Sequence, residues 1–142
     1  MGAPRFCVRP GIPTAVAAAA ALVTWLLGGV MWTAPAAAST PAVVTLGFDD
    51  GTVDQFTNGY PILSAHGMHA TFFVNTGPIT AGDPGHMTWA DLHTLASAGN
   101  EIAGHTIDHA DLKPLSVAAA EHQVCDDRNT LLAQGFAPES FA

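Results

Sequence analysis

Two short stretches of this sequence carry side chains that can act together: Asp49-Asp50-Gly51 and, much further along, His105-Thr106-Ile107-Asp108-His109. An H-x3-H pair puts two rings on one side of a helical turn with Cβ atoms about 5–6 Å apart. At about 2.0–2.1 Å per zinc-to-nitrogen bond, both can then share one divalent ion. A third ligand has to come from elsewhere, and a carboxylate of the Asp49-Asp50 pair can supply it. Two histidines and one carboxylate leave positions open for water and substrate, which marks a catalytic rather than a structural site. The other carboxylate cannot easily reach the same ion, but it can take a proton from water as a general base. Taken singly, each motif is weak. Consecutive acids before Gly are common in surface turns, histidines also cap helices, and H-E-x-x-H is absent. Their joint occurrence, with no C-x-x-C pair in the chain, brings a catalytic reading level with a structural one.

The elements around these motifs decide whether they meet. Ala42 to Phe48 is an apolar, β-branched run stopped by Asp49-Asp50-Gly51, so a buried strand is expected there. Tyr60 to Ala65 reads as a short helix with Pro61 in its first turn and Gly67 beyond its end. Ala70 to Asn75 is a second apolar strand, and the Gly-, Pro- and Thr-rich stretch from Thr76 to Gly85 is expected to be loop. Thr88 with Asp91 forms a capping-box pattern that opens a helix ended by Gly99. Glu101 to Gly104 is a brief third strand running straight into His105, and Ser116 to Gln134 reads as a further helix stopped by Gly135. Alternating strands and helices predict an α/β fold with parallel strands and right-handed crossovers, each apolar strand covered on both faces. Functional groups of such folds sit at the carboxyl ends of the strands. Both motifs lie at such ends.

Other polar and aromatic residues have plainer readings. His66, His69, His86, His93 and His122 fall at loop or helix-surface positions and are expected to be solvated. Trp89, Phe72 and Phe73 have the ring surface to stack on a sugar, with core packing the expected role. Asp108 is a turn carboxylate that can alternatively orient a neighbouring imidazole.

Ahead of these elements, Arg5 and Arg9 precede an 18-residue charge-free run from Ala15 to Trp32, followed by Pro35-Ala36-Ala37-Ala38. That is the order of a secretory signal, with cleavage expected before Ser39 and residues 39–41 as a linker. A retained membrane anchor is the rival, since such a run just spans a core of about 30 Å. Its Ala-rich composition and Gly28-Gly29 weigh against that, and Arg5 and Arg9 are not adjacent as a twin-arginine signal requires. Cleavage leaves 104 of the 142 residues, with Lys113 and Arg128 as the only basic side chains against twelve acids. So acidic a chain argues against nucleic-acid binding. Cys7 lies in the leader, which leaves Cys125 a lone thiol, expected as a small buried hydrophobe, with a partner in a missing part of the chain as the alternative.

In order, Val44-Thr45-Leu46-Gly47-Phe48-Asp49-Asp50-Gly51 resembles the first motif of the NodB-like polysaccharide deacetylases, carbohydrate esterase family 4, and His105 to His109 resembles their second. Ala70-Thr71-Phe72-Phe73-Val74 and Asn100-Glu101-Ile102-Ala103-Gly104 are also similar, so the likeness covers Ala42 to Ala142. The resemblance implies a deformed (β/α) barrel of parallel strands, the first three β/α units being present and residues 42–142 forming the N-terminal portion of a catalytic domain. It implies Asp49 as catalytic base, and Asp50, His105 and His109 as holders of a divalent metal, usually zinc. Gly47 stands where Thr or Ser is usual, and the family's later motifs, with an Arg, an oxyanion-stabilising segment and a general-acid His, find no match here. The implied activity is hydrolysis of N-acetyl groups on an extracellular or cell-wall polysaccharide such as peptidoglycan or chitin. An O-acetyl xylan esterase shares the same site. A non-catalytic exported metal- or glycan-binding protein is the alternative from another class. A partial sheet leaves the site open to water, so weak or no turnover is expected from this chain alone.

Overall fold

The structure, a computed structural model, describes residues 42–142. The segment expected to be a secretory signal, its expected cleavage point and the expected linker at residues 39–41 lie outside the described residues. Three strands, β1 (Gly47–Phe48), β2 (Thr71–Val74) and β3 (Glu101–Gly104), form one parallel sheet in the order β1-β2-β3. A π-helical turn (Gln55–Gly59) running into helix α1 (Tyr60–Ala65) links β1 to β2, and helices α2 (Thr76–Ala81) and α3 (Trp89–Ser97) link β2 to β3. Helix α4 (Val117–Glu121), a second π-helical turn (His122–Asp126) and helix α5 (Asp127–Ala133) follow β3. The α/β class and parallel pairing are those the alternating sequence pattern predicts, because parallel neighbours need a crossover between them.

Local chemistry explains most boundaries. Thr88 and Asp91 form the expected capping box, each side chain taking the other's backbone N–H, and Ser116 caps α4 by accepting from the Ala119 amide at 3.3 Å. Around β3 the core is densest: Ile102, Ala103 and Gly104 are all buried, as befits a strand covered on both faces. Phe72, Val74, Leu92, Leu95 and Leu131 pack around it with no exposed surface. Phe141 adds a single parallel bridge to Gly104 on the far side of β3.

Two expectations are corrected. The strand expected from Ala42 to Phe48 shrinks to Gly47–Phe48, with Val43 and Val44 83% and 82% exposed. An edge strand has a partner on one side only, and nothing among the described residues covers those two valines. In β2 only Phe72 and Val74 are buried, while Thr71 and Phe73 are half-exposed. The loop expected from Thr76 to Gly85 contains α2 instead. Its amino end is held by Asp127 of α5, whose Oδ1 accepts from the Thr76 amide at 3.3 Å and hydroxyl at 2.7 Å, and Gly82 closes it in a left-handed conformation. A cap supplied from so far along the chain leaves no local trace.

Candidate metal centre

The parallel register sets the carboxyl ends of β1 and β3 on one edge of the sheet, one at each side of β2. Asp50 and Gly51 are both left-handed, at φ 75° and 72°. The glycine is dictated twice, since a Cβ there would also stand 3.0 Å from the Val74 side chain. The Met87 amide donates to the Gly51 carbonyl at 2.9 Å, and Gln55 donates to the Asp49 carbonyl. That brace turns the Asp50 side chain back toward β3.

His105 and His109 come to meet it, though not as expected. The H-x3-H pair does not sit on a helical turn. It spans a loop in which Thr106 and His109 take left-handed conformations, φ 66° and 56°, and the rings nonetheless lie 4.9 Å apart. Asp50 Oδ1 is 3.4 Å from His105 Nε2 and 3.5 Å from His109 Nε2, and ligand atoms from the three residues all lie within 4.8 Å of one another. Among the described residues that oxygen is buried with no hydrogen-bond partner. An oxygen left in this state is costly unless a cation or a proton meets it, so the donor set fits a small divalent ion. His105 Nδ1 lies 2.7 Å from the main-chain oxygen of Ala142. Donation from Nδ1 fixes the tautomer and leaves the Nε2 lone pair facing Asp50. His105 is mostly enclosed, its side chain 14% exposed, whereas that of His109 is 67% exposed, so the cluster opens to solvent on the His109 side. A groove of about 300 Å³, lined by both histidines with Leu112 and Phe141, runs alongside. Asp49 is exposed in the same turn as Asp50.

Behind this edge lies Asp127, a fully buried carboxylate that the sequence reading passed over. Burial pushes its carboxyl up to about 6, against the opposing pull of the Thr76 hydrogen bonds and the neighbouring His105. The Asp108 carboxylate accepts from Gln123 at 3.2 Å, and among the described residues no imidazole is bonded to it. Of the other histidines, His66, His69, His93 and His122 are exposed as expected, while His86 is half-buried and 3.5 Å from Asp83. Trp89 and Phe136 stack at 6.3 Å against the core, and Phe72 lies fully inside it. Cys125, expected as a small buried hydrophobe, is half-buried.

Residues 36–136 match the family model described as polysaccharide deacetylase. A chitin deacetylase from a Pestalotiopsis species is 30% identical over 95 residues, covering 62% of this chain and 28% of that one. Among solved structures, the Streptococcus pyogenes deacetylase PplD in complex with acetate superposes with a TM-score of 0.70 at 27% identity, over 72% of this chain and 46% of the other. The peptidoglycan deacetylase PdaC from Bacillus subtilis does so with a TM-score of 0.59 at 30% identity, over 70% and 47%. The chain thus spans under a third of the length of the curated relatives it matches, and under half of these two solved chains.

Proposed function

Because this chain belongs to the polysaccharide deacetylase family, we propose that it carries the metal-holding part of a hydrolase that removes acetyl groups from a polysaccharide such as peptidoglycan or chitin. The observation that carries this reading is the unpartnered, buried Oδ1 of Asp50 facing the Nε2 atoms of His105 and His109. Asp50, His105 and His109 are the ligands in this reading, and zinc suits a set of two imidazoles and one carboxylate. A divalent ion so bound supplies Lewis-acid polarisation of an acetyl carbonyl and a more acidic water. The chain's own residues do the rest. His105, fixed by its Nδ1 contact, and His109 present their Nε2 lone pairs from one side, and Asp50 brings the negative charge from the other. Asp49, exposed beside them, takes the proton of the attacking water as general base. Leu112 and Phe141 give the adjoining groove an apolar flank against which a substrate can lie. Export through the 1–38 leader would deliver the protein to extracellular or envelope polysaccharide.

Zinc titration of the 142-residue chain tests the ligand set. One ion per chain is expected. Asp50→Ala should weaken binding at least about 100-fold, and Asp49→Asn should leave it unchanged. In the protein that carries this chain, Asp49→Asn should lower acetate release from chitooligosaccharide or peptidoglycan by about 10²–10⁴-fold. Metal loss in Asp49→Asn but not in Asp50→Ala would exchange their roles, and intact metal loading with no acetate release would leave a non-catalytic binder.

A further inference from the structure

The loop that carries both imidazoles holds two non-glycine residues in left-handed backbone, Thr106 and His109. Such a conformation persists only where its surroundings over-determine it. Three contacts do so here. Asn75, at the end of β2 and 2% exposed, donates from its amide to the carbonyls of His105 and of Thr106, the latter at 3.3 Å. The Gly77 amide of α2 donates to the Ile107 carbonyl at 2.8 Å. From the opposite side, Gln123 reaches across from the π-helical turn between α4 and α5. Its Oε1 accepts from the amides of Ile107 and Asp108, both at 3.1 Å, and its Nε2 donates to the Asp108 carboxylate at 3.2 Å.

We propose that Gln123 is a positioning residue for the metal centre, setting the place of His109 by fixing the Ile107-Asp108 backbone that precedes it. This rests on the reading of Asp50, His105 and His109 as a metal centre. The argument turns on what else could hold His109. His105 continues directly from β3, its amide donating to the Val74 carbonyl at 3.1 Å and its Nδ1 lying 2.7 Å from Ala142 O. His109 is largely exposed, and its ring faces Asp50 and His105 from the open side of the cluster. The backbone leading into so exposed a side chain governs where it stands, and the amides of Ile107 and Asp108 are fixed by one side chain. Gln123 accepts both N–H groups with a single oxygen and anchors the Asp108 side chain with its nitrogen, so losing it frees two consecutive amides at once. The wide π-helical turn adds a residue to the helical stretch at this point, a distortion often found beside functional sites.

Gln123→Met keeps the bulk and removes the polar atoms. In the 142-residue chain it should weaken zinc binding about 10–100-fold, the range for outer partners of metal ligands. Thermal melting of the metal-free chain should stay close to wild type, and the Ile107 and Asp108 amides should exchange hydrogen at least about 10-fold faster while β2 amides do not. A merely structural glutamine would move the melting temperature and leave the affinity of the folded protein alone. Should Gln123→Met fail to fold, Gln123→Asn, which withdraws the same amide by one methylene, carries the same expectation. Wild-type zinc affinity in either folded variant overturns the positioning role and leaves the metal centre standing. A wild-type chain that binds no zinc overturns the metal centre itself, and the positioning role with it.

Discussion

At the end of β3, the five residues from His105 to His109 leave a strand whose Ile102, Ala103 and Gly104 are all buried, and Asn75 and Gln123 grip them from two sides. At the end of β1, Asp49 and Asp50 leave a two-residue edge strand preceded by exposed Val43 and Val44, and the brace comes from the Gln55 side chain and the Met87 amide. One cluster is thus assembled from a deeply rooted arm and a shallow one. In the proposed metal centre the imidazoles form the frame, in which spacing matters most because both ring nitrogens must point at a common centre. The carboxylate closes the frame from a braced turn, and its short side chain can rotate to meet what the imidazoles hold. A shallow edge strand is tolerable for that second task and would not be for the first.

The sharpest way to break this contrast is to remove the root of the deep arm. Leu131 of α5 is fully buried in the core packed around β3. Leu131→Ala should cost about 2–5 kcal/mol of stability in urea unfolding followed by tryptophan fluorescence. A cost within about 0.5 kcal/mol, the range of ordinary surface changes, would show that the β3 side is no better rooted than β1.

A smaller effect is expected from the clamp itself. A Cβ at Gly77 would lie 2.7 Å from the Ile107 carbonyl oxygen and 2.4 Å from Asp108 Oδ1. The Asp108 side chain can swing aside, but the carbonyl belongs to the ligand loop and cannot move alone. Gly77→Ala should therefore cost about 1–3 kcal/mol through overpacking, despite the better helix propensity of alanine, and weaken zinc binding with it. Unchanged zinc affinity would mean that the His105–His109 loop tolerates displacement and is not the fixed part of the site.

Much of the frame is legible in the residue pattern, because its causes are local. The β-branched and aromatic run of β2, the Thr88-Asp91 capping box and the Gly135 stop each act within a few residues of themselves. The convergence of the two motifs follows from parallel strand order alone. What escapes the sequence is whatever is imposed from afar. Helix α2 is capped by Asp127, more than forty residues beyond its last residue, and the strand expected from Ala42 shortens because no neighbour covers it. The H-x3-H spacing suggests one turn of helix, yet Asn75, Gly77 and Gln123 hold that segment in a left-handed loop that brings the rings together by another route. Nothing about Gln123 within an Ala-rich helical stretch marks it as a partner of residues so far back in the chain.

The deep arm also has a pH signature. Glu101 opens β3, and its carboxylate accepts from the Thr71 hydroxyl at 2.9 Å, the Ser140 hydroxyl at 2.8 Å and the amides of Glu139 and Ser140. Partial burial by itself pushes its carboxyl up, but these four donors together outweigh it and hold the group below its ordinary value of 4.5. A carboxyl depressed in the folded state stabilises the fold at pH values above its ordinary value, and that contribution is lost as pH falls from there through the folded value. The latch joining residues 139–140 to β2 and β3 should therefore loosen in acid. Glu101→Gln removes the titration, so the melting temperature of the wild type should exceed that of the variant near neutral pH and converge on it as the pH falls below 4.5. The effect is small because the group is only partly buried and water screens it. A gap between the two that stays constant across the acid range would mean that the hydrogen bonds to Glu101 hold the neutral and ionised forms equally, and that β3 draws its stability from packing alone.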